Sequence, residues 1–239
     1  AIYGFVRFAD EIVDSFHEFD KELLLDEFEA DLHKALDRKI SLNPILNSFQ
    51  QVVHKYEIDS ELIDHFMKSM RADLNKQEYN SIKEYEAYIY GSADVVGLMC
   101  LKVFVQGDQK KYDELKTPAM KLGSAFQKVN FLRDIKDDND TLHRSYFPHI
   151  QGHVIDKNAK EAIIAEINKD FDEAYEGIVQ LPIEAKFGVY TAYIYYKNLL
   201  RKLKRTEASE IREKRIRISN PMKMVLLTKS FVNYKLNLL

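Results

Sequence analysis

Four polar residues in the stretch GSAFQKVNFLRDIKDDNDTLHRSYFP, which runs from Gly123 to Pro148, have the types and spacing to do chemistry. Gln127, Asn130, Asp134 and Asp138 follow one another at gaps of three, four and four. At about 100° per residue they fall within roughly 80° of one helix face. Phe126, Val129, Phe131 and Ile135 occupy the other sides. Asp137, Asp138 and Asp140 crowd the C-terminal end, where the helix macrodipole disfavours anions unless a cation offsets them. Two carboxylates four residues apart suit Mg2+, which takes a few carboxylate oxygens and completes its shell with water and phosphate oxygens. A solvated acidic face would show the same spacing, so one such pair decides little.

A second copy near the start shifts the balance. In YGFVRFADEIVDSF, Arg7, Asp10 and Asp14 repeat the three-then-four spacing, with Glu11 beside them and Phe5, Val6, Ile12 and Val13 as apolar flanks. Each acidic pair has its own arginine, Arg7 or Arg133. Two such helices are expected to face one another across a cavity. Asp10, Asp14, Asp134 and Asp138 would hold the metal and Arg7 and Arg133 would grip a diphosphate. Gln127 and Asn130 are polar helpers on the same stripe.

The elements that must position these residues are helical. Gly (8) and Pro (5) are scarce, and apolar residues recur at helical spacing nearly throughout. Helices are predicted from Ala1 to Phe16, from Asp20 to Leu36, and from Asn43-Pro44 to Tyr56. Others start at Asp59 or Ser60, and at Ser81 for a long helix to Phe104. Gly107-Asp108 is a break, and Thr117-Pro118 is the expected start of the central helix. Helices then cover Asn158 to Gln180, Ala185 to Lys204, and Pro221 to Leu236. The basic run Arg212 to Arg217 reads as a solvated connector, with Ile216 to Ile218 as a short extended piece. The prediction is a single all-α domain of about a dozen helices.

Composition agrees. Of 239 residues, 46% are hydrophobic and 31% charged, which is the balance of a globular chain long enough to bury a sizeable core. A net charge of −3 gives no reason to expect a nucleic-acid partner. The one cysteine, Cys100, allows no internal disulfide, and a cytoplasmic setting is the default expectation. No signal peptide and no run of about 18 apolar residues is evident. The basic run offers an alternative location, peripheral to the inner face of a membrane.

At this point the residues carry a resemblance. Y3-x-x-x-R7-x-x-D10-E11-x-x-D14 and Q127-x-x-N130-x-x-R133-D134-x-x-x-D138 resemble the paired signatures of the squalene/phytoene synthases. Between them, RADLNKQEYNSIKEYEAYIYGSADVVGLM is similar to that family's tyrosine segment, and HRSYFP to its Gly-Arg-x-Tyr-Leu-Pro. The resemblance covers essentially the whole chain, apart from an N-terminal helix that the family usually has before Tyr3. Asp94 stands where the family usually has Gly, and His143 where Gly precedes the arginine.

The resemblance implies a class I isoprenoid synthase bundle that condenses two prenyl diphosphates head to head. Mg2+ is the implied cofactor, with Mn2+ as an alternative and NADPH not expected. It implies a catalytic role for Tyr88 near cyclopropane formation, and diphosphate contacts for Tyr3 and Arg144. VGLM and SYFP look more like phytoene than squalene synthases, so phytoene from geranylgeranyl diphosphate is the first expectation. Squalene or dehydrosqualene from farnesyl diphosphate is the second. A non-catalytic relative acting in binding or assembly is the third, and the four retained carboxylates speak against it. Gly91, Ala93, Gly97, Met99, Gly123 and Ala125 are the expected small or flexible residues that leave room for the prenyl chains.

Overall fold

The computed structural model describes residues 1–76, 78–137, 146–148 and 155–236. Asp138 and Arg144, two of the predicted site residues, lie outside them, as do His143 and Asp140. Among the described residues there are eleven α-helices and one π-helical segment, and no strand.

The first half is a helical cluster of α1 (Ile2–Ser15), α2 (Lys21–Arg38), α3 (Pro44–Tyr56) and α4 (Ser60–Asn75). The predicted starts hold where a side chain satisfies the free backbone N–H groups. Asp20 accepts from Leu23 N, and Asn43 accepts from Ile45 N and Leu46 N with Pro44 at the first helical position. One apolar stripe per helix makes the core. Phe5 of α1 stacks on Phe49 of α3 at 4.0 Å and lies 5.4 Å from Phe66 of α4. All three rings are fully buried, so truncating one costs about 3–5 kcal/mol.

The predicted long helix from Ser81 is three pieces: α5 (Ile82–Ile89), a π-helical segment (Tyr90–Asp94) and α6 (Val95–Phe104). By length and composition, Ile82–Phe104 is apolar enough to cross a membrane, and 56% of its apolar window is buried inside the fold. It therefore serves as a core element, packed on α4 and on the central helix.

That central helix, α7 (Gln109–Asp137), starts eight residues before the predicted start at Thr117-Pro118. Gly107 at φ 83° makes the break, and Asp108 accepts from Lys111 N at 3.0 Å. Burial of Tyr112 and Leu115 holds the first turns, so Pro118 sits inside the helix. Its ring lies against Gly177 of α8 (Lys157–Ile178), where an added Cβ would come within 2.4 Å of Pro118 Cβ. α7 and α8 are also tied by buried charges. Lys128 pairs with Glu166 and, at 2.6 Å, with Asp170, which also accepts from Lys121 at 3.0 Å. Beyond them come α9 (Ile183–Arg205), α10 (Ala208–Glu213) and α11 (Asn220–Lys235). α10 was not foreseen. Its six residues are too few to show a period, and buried Ile211, with Ala208 packed beside the core, anchors it.

Candidate active site

α6, α7, α8 and α9 enclose an apolar cavity of about 690 Å3, to which α1 adds Tyr3 and Val6. Three helices contribute stripes with nearly the same rhythm. α9 presents Ala185, Gly188, Ala192 and Tyr196; the end of the π-helical segment and α6 present Ala93, Gly97, Cys100 and Phe104; α7 presents Ala119, Gly123, Phe126, Gln127 and Asn130. Small residues leave the space, and long ones close its ends.

The polar part of the wall is the predicted stripe of α7. Asn130 Oδ1 accepts from the Tyr196 hydroxyl at 3.2 Å, and Gln127 Nε2 donates to Ser92 Oγ at 3.5 Å. The Tyr196 ring stacks on Phe126 at 4.1 Å. The structure therefore gives the cavity both Tyr3 and Val6 from the first motif's helix and Gln127 and Asn130 from the second's. Each motif's carboxylates continue along the same helix. Asp10 is four residues past Val6 and Asp134 four past Asn130, a rise of about 6 Å in each case.

In the first motif, Arg7 bridges Asp10 and Glu11 on its own helix. Burial raises the Asp10 carboxyl above the usual carboxylate range, Asp14 adds to the rise, and Arg7 offsets it only in part. The local set is thus short of positive charge. Its hard oxygen donors fit a divalent cation such as Mg2+ in their chemistry. In the second motif, Asp134 sits between two guanidinium groups. Arg133 reaches it at 2.5 and 2.8 Å, and Arg215 Nε at 2.7 Å. Among the described residues no cluster of three metal-ligating side chains forms.

Arg215 corrects the reading of the basic run as a solvated connector. Ile216 and Ile218 are buried, so the alternating Arg215, Arg217 and Ser219 point the other way. With Arg133, Tyr195 and Lys223 they line a second, basic cavity of about 590 Å3. The signal was the period-two alternation from Arg215 to Ser219, which fixes the side on which the arginines lie. Tyr196 was not among the predicted site residues. Its three-four-four register with Ala185, Gly188 and Ala192 is the signal that finds it.

Tyr88 lies away from the cavity-lining residues. It is buried, donates to Asp73 Oδ2 at 2.8 Å, and stacks on Tyr146 at 5.4 Å and Phe131 at 6.0 Å. Burial, then Asp73, push its hydroxyl pKa well up, so it stays protonated. Of the six residues expected to leave room, Ala93, Gly97 and Gly123 line the cavity. Met99 and Ala125 are fully buried away from it, and Gly91 is held by close contact with α4, where a Cβ would lie 2.8 Å from the His65 carbonyl. Asp94, the departure from Gly, is buried and accepts from Ser124 Oγ at 2.7 Å.

The described residues form an all-helical fold around an apolar cavity, with acid and arginine motifs on two of the helices. The sequence model of the family described as squalene/phytoene synthase matches residues 1–150. The chain belongs to the squalene/phytoene synthase family.

Phytoene synthase 1, chloroplastic, of Solanum lycopersicum is 26% identical over 245 residues, covering 95% of this chain and 59% of that protein. Phytoene synthase of Arthrospira platensis is 27% identical over 233 residues, covering 87% of this chain and 74% of that protein. Among solved structures, a dehydrosqualene synthase in complex with ligand superposes with a TM-score of 0.74 at 20% identity, covering 98% of this chain and 85% of that one. Squalene synthase HpnC from Alicyclobacillus acidocaldarius superposes at 0.72 and 20% identity, covering 85% and 81%. These two establish the fold.

Proposed function

We propose that the protein joins two geranylgeranyl diphosphates head to head to give phytoene. The observation that carries this reading is one apolar cavity whose polar wall, Gln127 and Asn130, leads within one turn to Asp134 held between Arg133 and Arg215. A prenyl chain has somewhere to lie and its diphosphate has cations to meet. The names of the relatives, together with VGLM and SYFP, favour phytoene.

Asp10 and Asp14, with Asp134 and Asp138, are the residues that would hold Mg2+ or Mn2+, and that ion would neutralise the diphosphate as it leaves. Arg133 and Arg215 leave Asp134 for phosphate oxygens, which they grip as planar forks, and Arg7 does the same from the first motif. Arg144 and Tyr3 are assigned further diphosphate contacts. As the C–O bond of one substrate breaks, the second substrate's double bond attacks the allylic cation. A proton is lost and a cyclopropyl diphosphate closes. Its own diphosphate then leaves, the carbon skeleton rearranges, and loss of a second proton gives the hydrocarbon without a reductant. The apolar walls keep out water that would trap the cations. The faces of Phe126 and Tyr196 stabilise them without reacting. Tyr88 does not line the cavity, so its part in the cyclopropane step is a positioning one, through Asp73 and its ring stack on Phe131 of α7.

The alternative is squalene or dehydrosqualene formation from farnesyl diphosphate, and the fold matches favour it to the extent that both superposed structures carry those names. Diphosphate release from geranylgeranyl diphosphate, followed with Mg2+ and with chelator, tests the reaction class. Release with Mg2+ and loss of it with chelator are expected; no release under either condition would overturn the reading.

A further inference from the structure

Asn130 precedes Asp134 on the polar stripe of α7, and its side chain has one anchor. Among the described residues the only hydrogen bond of that amide is the one its Oδ1 accepts from the Tyr196 hydroxyl at 3.2 Å. An amide has two unlike ends, a carbonyl that accepts and an NH2 that donates. A bond to one end fixes where the other points. With Oδ1 committed to α9, the Nδ2 hydrogens are left for whatever lies along the stripe toward Asp134, one helical turn or about 6 Å further on. Gln127, the other amide of the stripe, is held less firmly, since its bond to Ser92 is 3.5 Å long.

Tyr196 is itself held in place. Its ring stacks on Phe126 at 4.1 Å and 22°, and meets Tyr195 edge-on at 5.5 Å. Phe126 and Asn130 are four residues apart and share a face of α7, so one side chain of α9 touches both. Burial raises the Tyr196 hydroxyl above the ordinary tyrosine value, so it stays a neutral phenol with a hydrogen to donate.

We infer that Tyr196 is a positioning residue, whose hydroxyl holds the Asn130 amide with its NH2 turned toward the diphosphate. Asn130 then meets the leaving group as a donor, at the place where negative charge develops as the C–O bond breaks. Turned over, the amide would set its carbonyl oxygen against phosphate oxygens, acceptor against acceptor. This inference rests on the diphosphate reading of the site.

Tyr196→Phe keeps the ring, its stack on Phe126 and the cavity wall, and removes the hydroxyl alone. Isothermal titration with inorganic diphosphate in Mg2+ reads the site without turnover. The variant should bind diphosphate ~5-fold more weakly than the wild type, and Asn130→Ala should lose at least as much. Added to Asn130→Ala, Tyr196→Phe should cost less than ~2-fold more, because its effect runs through that amide. In turnover with geranylgeranyl diphosphate, kcat should fall ~10-fold while KM moves less than ~3-fold, since the apolar walls are unchanged. A bond that only ties α9 to α7 would lower Tm and leave the diphosphate affinity where it was. Equal affinity of Tyr196→Phe and the wild type, or the same loss with and without Asn130, would overturn the inference and leave the proposed reaction standing. A wild type that binds no diphosphate, and releases none from the prenyl substrate, would overturn both.

Discussion

Asp94→Asn is the perturbation whose size the structure sets most directly. Burial raises the Asp94 carboxyl from 3.8 to about 6, and Asp170 adds to the rise. Ser124, Lys128 and Lys121 pull it down without cancelling that. Because the folded value is the higher one, folding takes up a proton between those two values. The group opposes folding least below pH 3.8 and most above pH 6. A gap of about two units corresponds to about 3 kcal/mol. Asn keeps an oxygen for Ser124 and cannot ionise. The variant should therefore gain on the wild type as pH rises from 4 to 7.5, by about 3 kcal/mol or roughly 6–12 °C in Tm for a chain of this size. Differential scanning calorimetry of both proteins across that range reads it. Every other titrating group is common to both proteins and drops out of the difference. A Tm gap that stays constant from pH 4 to 7.5 would refute the argument that Asp94 is desolvated between the π-helical segment and α7.

Three further outcomes bear on the site. Arg215→Gln removes one of the two guanidinium groups at Asp134 and should lower kcat by 10- to 1000-fold, on the order of 1.5–4 kcal/mol, with the melting curve little changed; steady-state kinetics beside calorimetry reads both. Asp10→Asn removes a carboxylate that the proposed reaction assigns to the metal and should cost on the order of 3 kcal/mol in turnover at saturating Mg2+ while the fold stays intact; near-normal rates would end that assignment. Cys100→Phe adds a ring to the cavity wall and should shift the accepted substrate toward shorter chains, at a cost of about 1–3 kcal/mol where the wall must yield; competition between C15 and C20 diphosphates measures the shift.

What the sequence carried was local. The register of Gln127, Asn130 and Asp134 needs only the helix period, and Gln127 and Asn130 do lie on the cavity wall. Asp20 and Asn43 announced helix starts because capping is made within a few residues. The failures came from contacts distant in the chain. Pro118 looked like a start, since nothing nearby shows that Tyr112 and Leu115 are buried. Arg215 looked solvated, since its partner Asp134 is 81 residues away. Gly97 and Gly123 proved to serve two purposes. Both line the cavity, and a Cβ at either would come within 3.0 Å of a carbonyl on the neighbouring segment, at Ala119 O and Ala93 O. Either substitution would therefore disturb helix packing and chain length together, which makes Cys100 the cleaner probe.

The central claim is that the cavity accepts two C20 chains and finishes the reaction by proton loss. Its most direct test is gas chromatography with mass spectrometry of the hydrocarbon made from geranylgeranyl diphosphate with Mg2+ and no NADPH. The expected result is phytoene as the main product. Indifference to the C20 substrate, together with conversion of farnesyl diphosphate to squalene or dehydrosqualene, would contradict it.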